Sequence, residues 1–395
     1  MLFRFSDFSL DTDRRELRRG RELVAVEPQV FDVIVHLIRN RNKVVTKDDL
    51  ITGVWAGRVV SDSTLTSRIN AARKAIGDNG ADQAVIRTVA RKGLRFVADV
   101  VEDKQQPASR VPDAEPELRQ DVKFCTAADG VRFAYSVVGN GPPLVKAANW
   151  LNHLEYDWQS PIWRPFLQAL AGNHQLVRYD ERGNGLSDWD VEDISFEAFV
   201  SDLECVTEAA GLKKFPLFGI SQGCAVSIAY AVRHPERVTH LILLGGYARG
   251  RKRRESHAEA EQADALLTLM RLGWGQENPA FRQVYTSLFI PGGSAEQMQW
   301  MNELQRRTTS PENAVRIRQA MNDIFVEDLL QRVKIPTLVL HRREDAVAPF
   351  DEGRRIAAGI RGSRFVALEG RNHVILEGDP DWHRILDEVT AFLKT

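Results

Sequence analysis

The sequence predicts two domains: a small α+β unit, then a larger α/β unit whose mostly parallel sheet is covered by helices on both faces. Three observations predict this. At 395 residues the chain exceeds one ordinary domain. The stretch "KQQPASRVPDAEPELRQ", residues 104–120, carries three prolines and no apolar period, and reads as an exposed linker. Across it the hydrophobic pattern changes from short alternating runs and three amphipathic helices to near-continuous apolar runs separated by helix-length segments. The predicted domains are therefore 1–103 and 121–395.

In the first domain, "LFRFSDFSL" and "RELVAV" alternate in polarity and suggest a small antiparallel sheet. "EPQVFDVIVHLIRN" follows, with Pro28 suited to a first helical turn and Val30, Val33, Ile34, Leu37 and Ile38 on one face. "TKDDLITGVW" opens with Thr46 and Asp49 at the spacing of a capping box. "SDSTLTSRINAARKAIGD" has Ser61 or Asp62 as its cap and buries Leu65, Ile69, Ala72 and Ile76. Its other faces carry Thr64, Ser67, Arg68, Asn70, Arg73 and Lys74. "AVIRTVARKGLRFVAD" reads as a hairpin with a basic tip at Arg91, Lys92 and Gly93. Up to residue 98 the chain has an excess of about six positive charges and the remainder is acidic by a similar amount, which points the first half toward an anion such as DNA.

Sheet, three helices and a basic hairpin closing on "GLRFVAD" resemble, in that order, the winged helix-turn-helix effector domain of the OmpR/PhoB type over roughly residues 2–100. The resemblance implies double-stranded DNA as a partner. On the family's pattern Ser63, Thr64, Arg68, Asn70 and Arg73 face DNA from the recognition helix, and Arg87, Arg91, Lys92 and Arg95 reach it from the wing. A helix with one small-polar and basic face fits the major groove, while wing arginines reach phosphates or the minor groove. Taken singly, each of these charges is also what a solvated face carries. The family's wing often has glycine where Ala90 and Arg91 stand. No receiver domain precedes the module in this sequence, so its control is expected to lie after the linker.

After the linker, "VRFAYSVVG", "PPLVKAA", "HQLVRYD", "FPLFGIS", "THLILLGG", "IPTLVLH" and "SRFVALEG" are strand-like. In "FGISQGCAV" a serine stands at the G-x-S-x-G spacing between an apolar run and a small-residue run, the pattern of a sharp strand-to-helix turn that presents a hydroxyl. These features and the loop "YDERGNGLSD" resemble the α/β-hydrolase fold across residues 121–395. The family's order of serine, acid, histidine implies Ser221, Asp345 in "HRREDAVAPF" and His373 in "GRNHVILEGDP" as a catalytic triad. The chemistry needs all three, because a serine hydroxyl is a poor nucleophile until an imidazole takes its proton and a carboxylate orients the ring. Glu344, beside Asp345, remains an alternative acid. Asp180 reads as a structural residue of its loop, and Cys224 as a small buried one.

The oxyanion hole departs from the family pattern. Its donors should be the backbone N–H groups of Gln222 and Trp150, but Asn149 stands where the family has glycine, and Lys146 interrupts an apolar strand unless it reaches water at the strand end. Residues 248–328 form a helical insertion that the resemblance makes a cap, with Trp274, Phe281, Tyr285, Phe289, Trp300 and Met301 either roofing a pocket or filling the cap's own core. The run "RGRKRRES" opens it, as a solvated surface or a second DNA or domain contact.

Cys125, Cys205 and Cys224 are too few and too scattered for a disulfide framework or metal knot, and no metal or other cofactor is expected. No signal peptide and no apolar run of about 20 residues is visible, so a cytoplasmic protein without a membrane span is expected. The expected function is a ligand-responsive transcriptional regulator, acting as a homodimer, whose hydrolase domain senses and slowly hydrolyses a small ester, lactone or related carbonyl compound. The alternative is a working serine hydrolase with the winged helix as tether or self-regulator. The retained triad argues against a dead scaffold, and the unusual "AANW" loop against a fast housekeeping enzyme.

Overall fold

The computed structural model describes residues 2–12, 15–20, 22–24, 26–55, 60, 62–78, 82–90, 92–103, 118–278 and 280–395. Ser61 and Arg91, and most of the predicted linker, lie outside them. The chain divides into two compact units, Met1–Pro116 and Glu117–Thr395.

The first unit opens with β1 (Leu2–Phe5), β2 (Phe8–Asp11), β3 (Glu16–Arg19) and β4 (Glu22–Val24). Helices α1 (Pro28–Arg39), α2 (Lys47–Trp55) and α3 (Asp62–Ala75) follow, then the hairpin β5 (Ile86–Val89) and β6 (Gly93–Phe96), and finally β7 (Val100–Asp103). The antiparallel sheet has the order β4-β3-β2-β1-β7, so β7 returns to pair with the first strand. Neither β3 nor β7 was legible as a strand, since each is four residues with no apolar alternation of its own. Phe3, Phe5, Phe8 and Leu10 of the sheet share one buried core with Val33, Ile34, Leu37 and Ile38 of α1. The capping box is formed: Thr46 N–H donates to Asp49 Oδ2 at 3.0 Å and Asp49 N–H to Thr46 Oγ1 at 3.1 Å.

Two polar side chains fix the hairpin against α3. Asp78 is buried and accepts the N–H groups of Ala84, Val85 and Ile86 at 2.9, 3.2 and 2.7 Å. Arg73 is also buried; its guanidinium donates to Ile86 O and, at 2.9 Å, to Thr88 Oγ1.

The second unit contains β8 (Asp121–Thr126), β9 (Arg132–Val138), β10 (Pro143–Lys146), α4 (Leu154–Gln159), α5 (Arg164–Ala171), β11 (Gln175–Tyr179), α6 (Phe196–Ala209), β12 (Phe215–Ile220), α7 (Gln222–Arg233) and β13 (Val238–Leu244). Between β13 and the next strand come a short 3₁₀ turn (Arg251–Arg253), α8 (His257–Gly273), α9 (Ala280–Phe289), α10 (Ala295–Thr308) and α11 (Pro311–Asn322). The unit ends with β14 (Thr337–Arg342), α12 (Phe350–Gly359), β15 (Arg364–Leu368) and α13 (Trp382–Phe392). The sheet order is β15-β14-β13-β12-β10-β11-β9-β8; it is parallel from β15 to β11 and antiparallel at β9 and β8. β8 escaped the sequence reading because it lies at the edge with mostly exposed side chains. Cys125 and Cys205, far apart in sequence, are free thiols with sulfurs 3.7 Å apart.

Three backbone donors converge on one carboxylate at Asp78, so Asp78→Ala should destabilise the first unit by about 2–3 kcal/mol. Urea unfolding followed by a probe in that unit checks this. An unchanged midpoint would show that the wing is anchored elsewhere.

Candidate active site and nucleic-acid interface

β12 runs directly into α7, and the residue at the junction is Ser221, at φ +54° and ψ −126°. A side chain rarely tolerates that conformation, and the neighbours show what it requires. A Cβ on Gly219 would lie 2.7 Å from Gly223 O and 2.8 Å from Ser227 Oγ, and one on Gly223 would lie 2.7 Å from Ala148 O. Only glycine fits at either position. The G-x-S-x-G spacing therefore follows from the close approach of strand, helix and the loop after β10.

Asp345 follows β14. Its Oδ1 accepts the N–H groups of Val347 and Ala348 at 2.8 and 3.0 Å, and its Oδ2 lies 2.6 Å from His373 Nδ1. Burial alone would push this carboxyl up; the facing His373 ring, its hydrogen bond and the Ala348 N–H outweigh burial and hold it below the ordinary carboxylate range. His373 follows β15 and is anchored by its backbone N–H to Phe289 O at 2.8 Å. The Phe289 ring stands edge-on to the imidazole, 5.4 Å between centroids. His373 Nε2 is buried without a hydrogen-bond partner, the atom that would take a serine proton. Glu344 is exposed, so the carboxylate that orients the histidine is Asp345.

The loop after β10 differs from expectation. Lys146 does not reach water: it is buried, donates to Asn149 Oδ1 at 2.5 Å and lies 5.3 Å from the Trp163 ring centre. Burial lowers its ammonium to about 8 against the pull of Asp157. The Trp150 N–H, the second oxyanion donor by position, donates to Gln222 Oε1 at 2.9 Å. Gln222 Nε2 in turn donates to Glu181 Oε2 at 2.6 Å, and burial pushes the Glu181 carboxyl up to about 8 against that bond. The Gln222 backbone N–H, at the first position of α7, has no intrahelical partner to satisfy it. Of the two expected donors, the Gln222 N–H has no intrahelical partner and the Trp150 N–H is engaged by the Gln222 side chain.

Cys224 donates to Gly219 O at 3.2 Å and burial pushes its thiol well up, which keeps it unreactive. Asp180 accepts the N–H groups of Leu154 and Leu186 at 3.1 and 2.8 Å and so ties its loop together.

The helical insertion closes over this centre. Trp274 stacks on Trp150 at 5.5 Å, with Tyr285 and Phe289 edge-on at 6.1 and 6.4 Å. Trp300 instead packs on Tyr156 at 4.4 Å, Phe281 lies against Gly273, and Met301 is buried. The space beside Ser221 is about 10 Å³, room for roughly one water. The run "RGRKRRES" is not simply a solvated surface: Arg251 and Arg254 turn inward, Arg249 holds Glu352 at 3.0 Å, and Lys252 and Arg253 face outward carboxylates. Sequence reasoning missed this because side-chain direction in an irregular segment carries no period.

In the first unit Ser63, Thr64 and Asn70 are exposed on α3, and Arg68, partly buried, pairs with Glu27. Arg73 does not belong with them, since its guanidinium is spent on the hairpin. On the wing Arg87, Lys92 and Arg95 are exposed, and Arg91 lies outside the described residues. Arg87 and Arg95 face each other directly across the two strands. Like charges in that position are unfavourable unless an anion screens them. An open groove of about 540 Å³ runs between α2, α3 and the hairpin past Lys92, larger than the space at Ser221 but without a nucleophile and base.

Among the described residues no group of three or more His, Cys, Asp or Glu side chains could hold a metal ion, and no helix is long and apolar enough to cross a membrane.

Comparison with known proteins agrees with both halves. Residues 159–380 match the family model described as alpha/beta hydrolase fold, and residues 20–96 the one described as transcriptional regulatory protein, C terminal. The AB hydrolase superfamily protein YisY of Bacillus subtilis is 26% identical over 238 residues, 60% of this chain and 86% of that protein. The putative carbamate hydrolase RutD of Azorhizobium caulinodans is 24% identical over 251 residues, 62% of this chain and 90% of its own length. Among solved structures, an esterase from Exiguobacterium antarcticum superposes with a TM-score of 0.58 at 22% identity, over 69% of this chain and 99% of that one. The matched hydrolase region spans more than half of the sequence, and the chain belongs to the alpha/beta hydrolase fold family, with an OmpR/PhoB-type transcriptional-regulator domain ahead of its hydrolase domain.

Proposed function

We propose that the protein is a ligand-responsive transcriptional regulator that binds DNA through its winged helix and senses, with slow hydrolysis, a small ester, lactone or related carbonyl compound over Ser221. The observation that supports this reading is the buried Asp345–His373 pair together with a strained Ser221 beside a nearly closed chamber, with the Trp150 N–H engaged by Gln222. Such a centre favours occupancy over rapid turnover. Its opening on ligand entry supplies the two states that a sensor needs, because a ligand indifferent to both would shift nothing. The relatives named as carbamate hydrolase and esterase support an acyl compound as the ligand. We place the protein in the cytoplasm, acting as a homodimer on paired half-sites.

In the proposed chemistry His373 Nε2 takes the Ser221 proton as Oγ attacks the carbonyl carbon. Asp345 stabilises the imidazolium, and the Gln222 N–H, joined by Trp150 N–H once Gln222 turns, receives the oxyanion. The protonated His373 then returns the proton to the leaving alcohol, and water releases the acyl group by the same steps. A working hydrolase that uses the winged helix as tether is the second reading, favoured by the short Asp345–His373 contact.

A fluorophosphonate probe should label Ser221, read by mass spectrometry, and a folded protein left unlabelled removes the enzymatic part of the proposal. For an activated ester, Asp345→Asn should lower kcat by about 10³–10⁴, as loss of the orienting carboxylate does in other triads, while Glu344→Gln stays within about twofold. The reverse order would reassign the acid.

For the DNA half, Arg87→Ala and Lys92→Ala should weaken binding to all duplexes and reduce the salt slope by about one each, whereas Asn70→Ala should relax sequence preference. Salt-dependent binding to specific and random duplexes measures both effects. An unaltered salt slope would exclude the wing from the phosphates. Footprinting at the protein's own promoter, with and without candidate esters, tests the regulatory reading as a whole.

A further inference from the structure

The chamber beside Ser221 is walled by Tyr247, Arg251, Arg254, Arg318 and Asn322. Three arginines around so small a space need counter-charges, and the structure supplies one. Arg254 meets Glu259 at 3.4 Å, but among the described residues neither Arg251 nor Arg318 has a carboxylate within ion-pair distance. Arg251 is 6% exposed and spends its donors on neutral groups, Gln262 Oε1 at 2.5 Å and Val347 O at 3.3 Å. Burial and then the neighbouring Arg318 and Arg254 lower its guanidinium to about 10. Arg318 is 4% exposed, sits 5.9 Å from the Trp150 ring centre, and its Nε has no partner. The Asn322 Nδ2 donor is likewise buried and unpartnered.

Buried charges are ordinarily paired, and buried donors ordinarily satisfied. Here residues that carry unsatisfied donors and uncompensated positive charge line one chamber together with Ser221. We propose that this chamber, widened by the opening that ligand entry requires, holds an anion subsite, and that the compound taken there carries a carboxylate or like anionic group besides its scissile carbonyl. The inference rests on the reading of Ser221 as the reacting centre, and adds the charge of the ligand.

The placement of the donors also bears on signalling. Arg251 and Arg254 enter from the start of the helical insertion and Arg318 and Asn322 from α11, whereas Ser221 and Tyr247 belong to the sheet layer. An anion between them draws insertion and sheet layer together through charge-assisted hydrogen bonds. A neutral ester of equal size has no such grip.

The test uses the full-length Ser221→Ala protein, in which nothing is consumed, with monomethyl glutarate, dimethyl glutarate and inorganic phosphate as probes in calorimetric titration. We expect monomethyl glutarate to bind at least about tenfold more tightly than dimethyl glutarate, and Arg318→Gln, added to Ser221→Ala, to erase that difference. If Arg318→Gln fails to fold, Arg251→Gln in the same background should shrink the preference. Tighter binding of phosphate than of monomethyl glutarate would keep the subsite and change its ligand to a phosphate-bearing compound. Equal binding of the mono- and dimethyl esters overturns the inference. Fluorophosphonate labelling of the wild type separates the two readings: labelling without charge preference leaves a hydrolase without the subsite, and charge preference without labelling leaves the subsite without the hydrolase.

Discussion

The elbow at Ser221 is the constraint on which the second unit depends. A serine at positive φ is held there only because Gly219 and Gly223 let β12, α7 and the loop after β10 approach to backbone contact. α7 is buried along most of its length, so the strain is absorbed by a helix that has nowhere to move. The carboxyl ends of the parallel strands β12, β14 and β15 then deliver serine, acid and histidine to one edge of the sheet, the usual position for a site in an open α/β fold.

Charge is used in opposite ways in the two units. On the wing of the first it lies outside, with Arg87 opposite Arg95 and Lys92 beside them, where a polyanion can screen repulsion that the hairpin tolerates alone. In the second it is drawn inward, to arginines around Ser221 and to the Lys146, Asp157 and Arg178 group beside the loop after β10. That inner group contains its own counter-charge: Asp157 and Arg178 pair at 3.4 Å and Arg178 also meets Gln120 and Leu154 O, both at 2.5 Å, while Asp157 Oδ1 and Arg178 Nε are without a partner. At Ser221 only Arg254 has a carboxylate partner, Glu259, and it is this missing counter-charge at Arg251 and Arg318 that points to a ligand.

What could be read from the sequence was what depends on period and chain order. The apolar face of α1, the strand-to-helix turn at Ser221 and the order of serine, aspartate and histidine are local or sequential facts, and the fold and the contact of Asp345 with His373 followed from them. Directions of long polar side chains were not legible. Arg73 and Lys74 are adjacent basic residues in α3, yet one is buried against the hairpin and the other is exposed. The inward turn of Arg251, the grip of Gln222 on the Trp150 N–H and the anchoring role of Asp78 depend on partners distant in sequence, so no window of residues contains them. The edge strand β8 was missed because one apolar face, half covered, leaves little pattern.

The central claim is that occupancy of the Ser221 chamber, and not acylation, is what DNA binding responds to. The most direct measurement is promoter occupancy followed in time after a single dose of a hydrolysable ester, for wild type and Ser221→Ala. The account predicts that both respond at first and that Ser221→Ala keeps its response after the wild type has returned to baseline, because the ligand is no longer consumed. A Ser221→Ala protein that binds the ester as tightly as wild type yet never changes its hold on DNA would contradict it.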